Sequence, residues 1–373
     1  MVVSTHHASI SGSETTHRDC LIELIKRGAV ILCEHTVDES FSGDGLIVAS
    51  FWQDDASKPF PYISRNKPEA SLFGKDPVPT PVIGTSVFEK GQVAADRLST
   101  EEPLLVQTPL GPTWILASDT AIGASLIESG SFEETIISEV TEFLVRHYGF
   151  NPRQFIDVGA NVGTHLLYAL RSGLFKTAIG FEADPVNFSV LLKNISYNRL
   201  EGSARALHIP VSDRSGAALI ERSPDNLGDH RVKCDCVSSN QERYQESSRK
   251  SIQLVSDTLD RLNAEFAMGI DSGSLVWIDT QGHEGHVLSG AMELMKHGSL
   301  QYVVIEFWPY GIQRSDGKEK VFEFLSHCRE IYDIRSPNWQ SSKISIQNLQ
   351  ELYVRLLSEG VDHTDLLCVV RIT

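Results

Sequence analysis

From Gln154 onward the chain alternates short, almost wholly apolar runs with longer stretches whose apolar residues recur every three to four positions. The apolar runs predict strands over Gln154 to Val158, Thr177 to Glu182, Ala204 to Val211, Leu275 to Asp279, Tyr302 to Phe307, Ile331 to Arg335 and Leu366 to Arg371. The periodic stretches predict helices over His165 to Arg171, Pro185 to Asn198, Gly285 to Lys296, Lys318 to Arg329 and Ile346 to Glu359. Strands without a polar face, separated by amphipathic helices, call for a mostly parallel sheet covered on both sides. A ligand then belongs at the C-terminal strand ends, where the strand order switches. Upstream, Glu133 to Tyr148 has helical periodicity, and Leu104 to Gln107 with Thr113 to Ala117 reads as a hairpin turned by PLGP. The first hundred residues are less regular: a helix over His17 to Arg27, strands over Ala29 to Cys33 and Gly45 to Phe51, then a Pro-, Ser- and Lys-rich loop over Asp54 to Val82. The division expected is an N-terminal α+β extension over residues 1–103 and a main domain over residues 104–373.

Charge and composition narrow the partners. A formal net charge of -16, with no block of Lys and Arg, argues against nucleic acid and against an anionic membrane surface. The opening residues show neither the basic start nor the apolar stretch of a signal peptide, so a cytoplasmic location is expected. Of six cysteines only Cys234 and Cys236 are close, and no second ligand pair follows at metal-binding spacing; reduced, structural cysteines and no metal are expected. Two glycosylation-like triplets, at Asn187 and Asn194, carry no weight without secretion.

The chemistry concentrates in FIDVGANVGTH, Phe155 to His165, at the end of the first sheet strand. A phosphate-binding P-loop would need Lys and Ser or Thr after Gly163, where Thr164 and His165 stand. A dinucleotide fingerprint would need glycine at Asn161. A ligand-free tight turn accounts for the glycines but leaves a carboxylate, Asp157, at the strand end. The next strand ends in FEADP, which puts Glu182 about twenty residues on, where a carboxylate accepts from both hydroxyls of a ribose. NAD and S-adenosylmethionine share that need. A pyrophosphate prefers bare N–H groups, whereas an amino-acid ammonium beside a sulfonium prefers a carboxylate, so Asp157 favours S-adenosylmethionine.

DVGANVG, FEADP, VSDRSG (Val211 to Gly216), IDTQGHEGHVLSGA (Ile278 to Ala291) and VIEFWP (Val304 to Pro309) follow one another as in FkbM-type S-adenosylmethionine-dependent methyltransferases, which the chain resembles over Leu104 to Thr373. Gly111 to Glu134 fits the same pattern; Gln281 departs from it, standing where the family commonly has an acid. The resemblance implies a Rossmann-like class I fold, a seven-stranded sheet with its last strand antiparallel, and O-methylation of a sugar or natural-product hydroxyl. It also implies that Asp157, Gly159, Asn161 and Gly163 hold the methionine part, that Glu182 holds the ribose, and that Ser212 and Asp213 lie near the adenine. Glu133 approaches the cofactor tail on this reading. Asp279 and His283 are the expected catalytic pair, with His283 as general base because an imidazole titrates near neutral pH. Glu306 and Trp308 are expected to bind the acceptor. Two rivals are an NAD-dependent oxidoreductase and a non-catalytic binding module on the same fold.

Overall fold

The computed structural model describes residues 2–6, 16–27, 29–35, 44–51, 103–233, 242–359 and 363–371. The expected loop over Asp54 to Val82 and the pair Cys234 and Cys236 fall outside these residues.

The N-terminal segment forms its own small unit. Strands β1 (Val2–His6), β2 (Val30–His35) and β3 (Asp44–Ser50) make an antiparallel sheet in the order β1-β3-β2, and α1 (Thr16–Lys26) packs on it. Leu24, Ile47 and Ala49 are the buried residues of its core. The helix and two strands read from the sequence are present; β1 is an addition.

The rest of the chain opens with the hairpin β4 (Leu104–Thr108) and β5 (Gly111–Ile115), followed by α2 (Ile122–Ser129) and α3 (Glu134–Tyr148). Then come β6 (Gln154–Val158), α4 (Thr164–Arg171), β7 (Thr177–Glu182), α5 (Pro185–Tyr197) and β8 (Ala204–His208). An insertion of β9 (Gly216–Arg222), β10 (Arg231–Val232) and β11 (Lys250–Ser256) precedes α6 (Leu259–Glu265) and β12 (Ser274–Ile278). The chain continues through α7 (Glu284–Ser289), α8 (Met292–Lys296), β13 (Tyr302–Phe307), α9 (Pro309–Arg314), α10 (Lys318–Ser326), β14 (Cys328–Asp333), α11 (Ile346–Glu359) and β15 (Thr364–Val370).

Seven strands form the central sheet in the order β14-β15-β13-β12-β6-β7-β8. The strands pair in parallel except β15, which runs antiparallel to both neighbours. This is the Rossmann-like class I methyltransferase sheet. Its strands are buried on both faces, so alternate residues feed two cores: Ile156, Val158, Val276 and Ile278 one, Phe155, Leu275 and Trp277 the other. The FEADP motif shows the local logic. Asp184 caps α5 by accepting from the N–H groups of Val186 and Asn187, and Pro185 occupies the first helical turn, where its missing donor costs nothing.

Several boundaries differ from the pattern-based reading: the strand expected over Ile331 to Arg335 runs over Cys328–Asp333, and the helix expected over Lys318 to Arg329 ends at Ser326. The single helix expected over Gly285 to Lys296 breaks into α7 and α8 around Gly290, whose place against the Ser212 carbonyl leaves only 2.0 Å for a Cβ. The strand expected to run to Val211 stops at His208, before Pro210. The antiparallel sheet β10-β9-β11 was not anticipated. Asn187 and Asn194 are buried with their amides bonded to backbone carbonyls, so neither offers an acceptor for a glycan. Among the described residues, no helix is long and apolar enough to cross a membrane.

Candidate functional site

The strand order switches between β6 and β12, and the loops after these two strands meet: the Asp279 N–H donates to the Val158 carbonyl at 2.9 Å. Gly159 has a φ of 93°, and a Cβ there would lie 1.8 Å from the Asp279 carbonyl oxygen. Gly163 has a φ of 90°, and a Cβ there would lie 2.4 Å from Leu191 Cδ1. The glycines of FIDVGANVGTH are therefore demanded by the protein's own packing, before any ligand is considered.

Between them, Asn161 adopts the left-handed region with a φ of 50°, which asparagine tolerates better than most residues. Its N–H donates to Glu182 at 2.7 Å, and its side-chain amide donates to the Leu227 carbonyl at 3.2 Å. Asn187 donates to the same carbonyl at 2.8 Å, while the Leu227 N–H donates to Asp119 at 3.1 Å. These bonds strap the segment around Leu227 across the switch point. Beneath it is a narrow cavity of about 60 Å³, bordered by Glu182, Ala183, Val211, His230, Asp279 and His283. Glu182 accepts a second backbone N–H, from Asp184, at 2.6 Å. Burial, reinforced by the Asp184 charge, pushes its carboxyl up to about 8. Asp157 is buried on the other face of the β6 end, and its Oδ2 has no hydrogen-bond partner. Burial, with the nearby Asp279 charge, raises Asp157 to about 6.

A larger cleft of about 650 Å³ adjoins the same loops and is bordered by Glu133, His165, Asp279, Gln281, Glu306 and Trp308, with Arg335 and Asp365 further along its wall. Glu306, ending β13, faces Asp365 of β15 as its cross-strand partner. Gln281, with a φ of 55°, directs its amide between two carboxylates: Nε2 is 2.7 Å from Asp279 and 3.2 Å from Glu306. Burial and the charges of Asp279 and Glu284 hold Glu306 well above the usual carboxylate range. Oxygens of Asp279, Glu284 and Glu306 lie within 4.8 Å of one another, close enough to share a proton or hold a cation. One wall is aromatic. Trp308 and Tyr244 meet edge to face at 5.5 Å, and both rings contact the Arg231 guanidinium, at 4.5 and 4.8 Å, which is already paired with Asp229 and Glu246.

Residues 157–333, a little under half of the chain, match the family model described as the methyltransferase FkbM domain. Over those residues the chain matches an FkbM methyltransferase domain. Among relatives, methyltransferase sdnD of Sordaria araneosa is 27% identical, over 42% of this chain and 68% of its own length. Among solved structures, methyltransferase FkbM from Methylobacillus flagellatus is 15% identical, covering 47% of this chain and 36% of that one, with a TM-score of 0.29. The N-terminal domain of human METTL16, in complex with S-adenosylhomocysteine, is 11% identical, covering 64% and 70%, with a TM-score of 0.32. At such scores the structural likenesses carry no argument. The FkbM family is S-adenosylmethionine-dependent. The residues present fit that cofactor: each Glu182 oxygen accepts one N–H and keeps a lone pair for a ribose hydroxyl, and the unpartnered Asp157 oxygen suits a nearby cation.

The FkbM domain does not gather every expected residue at the cavities. Glu182, Gly159, Asn161 and Asp279 border them, as do Glu133, Glu306 and Trp308. Asp157, Gly163, Ser212 and Asp213 border neither. Asp213 is turned to Lys320 at 2.6 Å and His286 at 3.1 Å; burial opposes its charge, but these partners bring it down to about 2. Ser212 instead sits 2.9 Å from His283 Nε2. His283 borders only the narrow cavity, stacked on His286 at 4.3 Å. Burial, with the adjacent His286, pushes its imidazole down to about 3. A ring that resists protonation to that degree is a poor proton acceptor, which weighs against His283 as general base. The sequence reading passed over His165 and Arg335, which sit on either side of Glu133. His165 Nε2 is 3.4 Å from Glu133, and Arg335 bonds the other carboxylate oxygen. Burial works against both charges, yet the pairing brings Glu133 down to about 2 and pushes His165 up to about 9.

Proposed function

We propose that this chain is an S-adenosylmethionine-dependent O-methyltransferase acting on a hydroxyl of a small, ring-bearing acceptor such as a sugar or a natural product. The observation that carries the reading is the pair of carboxylates at strand ends on either side of β6, the buried Glu182 after β7 and the half-buried Asp279 after β12, bordering one cavity across the switch point. When bound, the cofactor supplies a sulfonium-borne methyl group for in-line displacement. Glu182 orients the ribose by accepting from its hydroxyls, and the Asp157 carboxylate stabilises positive charge from beneath the glycine loop. Asp279 borders both cavities and takes the base role: it accepts the acceptor's hydroxyl proton as the new C–O bond forms. Gln281 orients Asp279 through the 2.7 Å bond, and Glu306 accepts a neighbouring acceptor hydroxyl. The carboxylates with Trp308 and Tyr244 suit a hydroxylated ring, which presents an apolar face and a rim of donors. Holding donor and acceptor in contact does most of the catalytic work.

The test is thermal unfolding of the whole chain with S-adenosylmethionine, S-adenosylhomocysteine or NAD, alongside Glu182→Ala. Ligand at a hundredfold over its dissociation constant stabilises by about 2.7 kcal/mol. Both adenosyl ligands should raise the midpoint and NAD should not. Glu182→Ala removes two hydrogen bonds to the ribose, about 0.5–1.5 kcal/mol each, and should shrink or abolish the shift. A shift with NAD alone would overturn the reading in favour of an oxidoreductase.

A further inference from the structure

Where β12 and β13 end, three carboxylates come together: Asp279 after β12, Glu284 at the start of α7 and Glu306 near the end of β13. One oxygen of each lies within 4.8 Å of the other two. Among the described residues none of the three has an ion-pair partner; the nearest cations are spent elsewhere, Arg335 on Glu133 and Asp365, His165 on Glu133. Three acids so close cannot all stay charged without something positive among them, either a retained proton or a bound cation. Glu284 shows what is missing. It is fully buried, and its Oε1 accepts from the Thr280 N–H at 2.9 Å, the Thr280 hydroxyl at 3.0 Å and the Gly282 N–H at 3.1 Å. Its Oε2 is buried with no hydrogen-bond partner, and proteins seldom leave such an oxygen unsatisfied.

Gln281 marks the place a cation would take. A φ of 55° swings its amide between the acids, with Nε2 2.7 Å from Asp279 Oδ1 and 3.3 and 3.2 Å from the two oxygens of Glu306. Turning the amide over puts its carbonyl oxygen where the nitrogen stands, because the two ends are nearly isosteric. The four residues then offer oxygen alone: three carboxylates and one amide carbonyl. Such a set suits a hard cation, not one that prefers nitrogen or sulfur. With Glu284 and Glu306 both buried, little water can stay on the ion, which favours calcium over magnesium, an ion that dehydrates reluctantly. The cysteine spacing bears only on thiolate sites, and an all-oxygen site leaves no such signature.

We propose that Asp279, Gln281, Glu284 and Glu306 form a site for a hard divalent cation of the calcium type, which ties the end of β12 to the end of β13. Asp279 gives the ion the oxygen that Gln281 now holds and keeps its other oxygen for an acceptor hydroxyl. Asp279, Gln281 and Glu306 border the larger cleft, so the ion is reached from that side. Its binding needs no cofactor.

Thermal unfolding and calorimetric titration of the whole chain, stripped with EDTA and free of adenosyl ligands, test this. Calcium chloride at about a hundredfold over its dissociation constant should raise the midpoint by about 5 °C or more. Sodium chloride at equal ionic strength should not. Magnesium should bind about tenfold more weakly or worse. Glu284→Gln and Glu306→Gln should each weaken calcium by about tenfold or more. Should either fail to fold, Gln281→Lys gives an independent reading: an ammonium among the acids should block calcium and raise the calcium-free midpoint. Silence towards both ions would overturn the proposal and leave the cluster holding protons. A calcium response that survives in Glu284→Gln and Gln281→Lys would also overturn it, assigning the ion to the surface of a chain with a net charge of -16. Magnesium bound as tightly as calcium would overturn the choice of ion. With no adenosyl ligand present, none of these outcomes touches the S-adenosylmethionine reading.

Discussion

Replacing Gly159 with alanine asks whether the glycine loop is shaped by its ligand or by the protein. At a φ of 93° an L side chain is strained by about 1–2 kcal/mol. The new Cβ would also lie 1.8 Å from the Asp279 carbonyl oxygen, which belongs to backbone and cannot swing aside as a side-chain end would. The ends of β6 and β12 must separate, at a cost typical of overpacking, about 1–3 kcal/mol. A total of about 3 kcal/mol lowers the unfolding midpoint of a domain this size by about 6–12 °C, at about 2–4 °C per kcal/mol. Gly149 supplies the control. It ends α3 with a φ of 65°, and a Cβ there meets nothing within 4 Å. Gly149→Ala should therefore cost the backbone strain alone, about 1 kcal/mol or about 2–4 °C. The assay is thermal unfolding of both variants without ligand. If the two melt together and Gly159→Ala loses only its response to S-adenosylhomocysteine, the glycine serves the ligand and the packing argument is refuted.

Other outcomes follow from the same geometry. Asp279→Asn keeps the shape but accepts a proton poorly, so methyl transfer should fall by about 10²–10⁴ while S-adenosylhomocysteine binding changes little; turnover surviving intact would return the base role to another group. The ligand-free protein should melt at a lower temperature at pH 8.5 than at pH 6.5. Burial raises Glu182 to about 8 and Glu284 to about 7, and Glu133 with Asp157 raises His165 to about 9, so their contributions are lost as pH rises through those values. His283, lowered to about 3, works in the opposite sense and only as pH falls through 6.5. A midpoint that climbs between pH 6.5 and 8.5 would contradict this balance.

The inner sheet strands were legible because burial on both faces leaves an apolar run, and Tyr302–Phe307 is buried at every position; the edge strand β14, with Arg329 exposed, was placed three residues late at its start. The insertion β9–β11 was not, since its strands alternate buried with exposed residues and its anchors are charged. Arg231, Asp229, Glu246 and Arg249 look like solvent-facing polarity in sequence, yet they pair with one another out of water. Asp157, Glu182 and Asp279 could be found because a parallel sheet brings its strand ends together wherever they fall in the chain. Arg335 could not: it meets Glu133 across 202 positions through a loop whose path no local pattern encodes. The surroundings of His283 were hidden for a related reason, as a sequence gives the residue but not the Ser212 and His286 packed against it.

Strand β15 is the last element of the fold to be synthesised, yet it lies inside the sheet, between β13 and β14. Until it is made, both neighbours present open edges to a growing polypeptide, with Arg335 lacking its Asp365 partner and Glu306 its cross-strand neighbour. Completion of the sheet and completion of the cleft wall are thus one event in time. A chain that has grown only as far as α11 still lacks Asp365, the residue of the cleft wall that pairs with Arg335 and lies opposite Glu306.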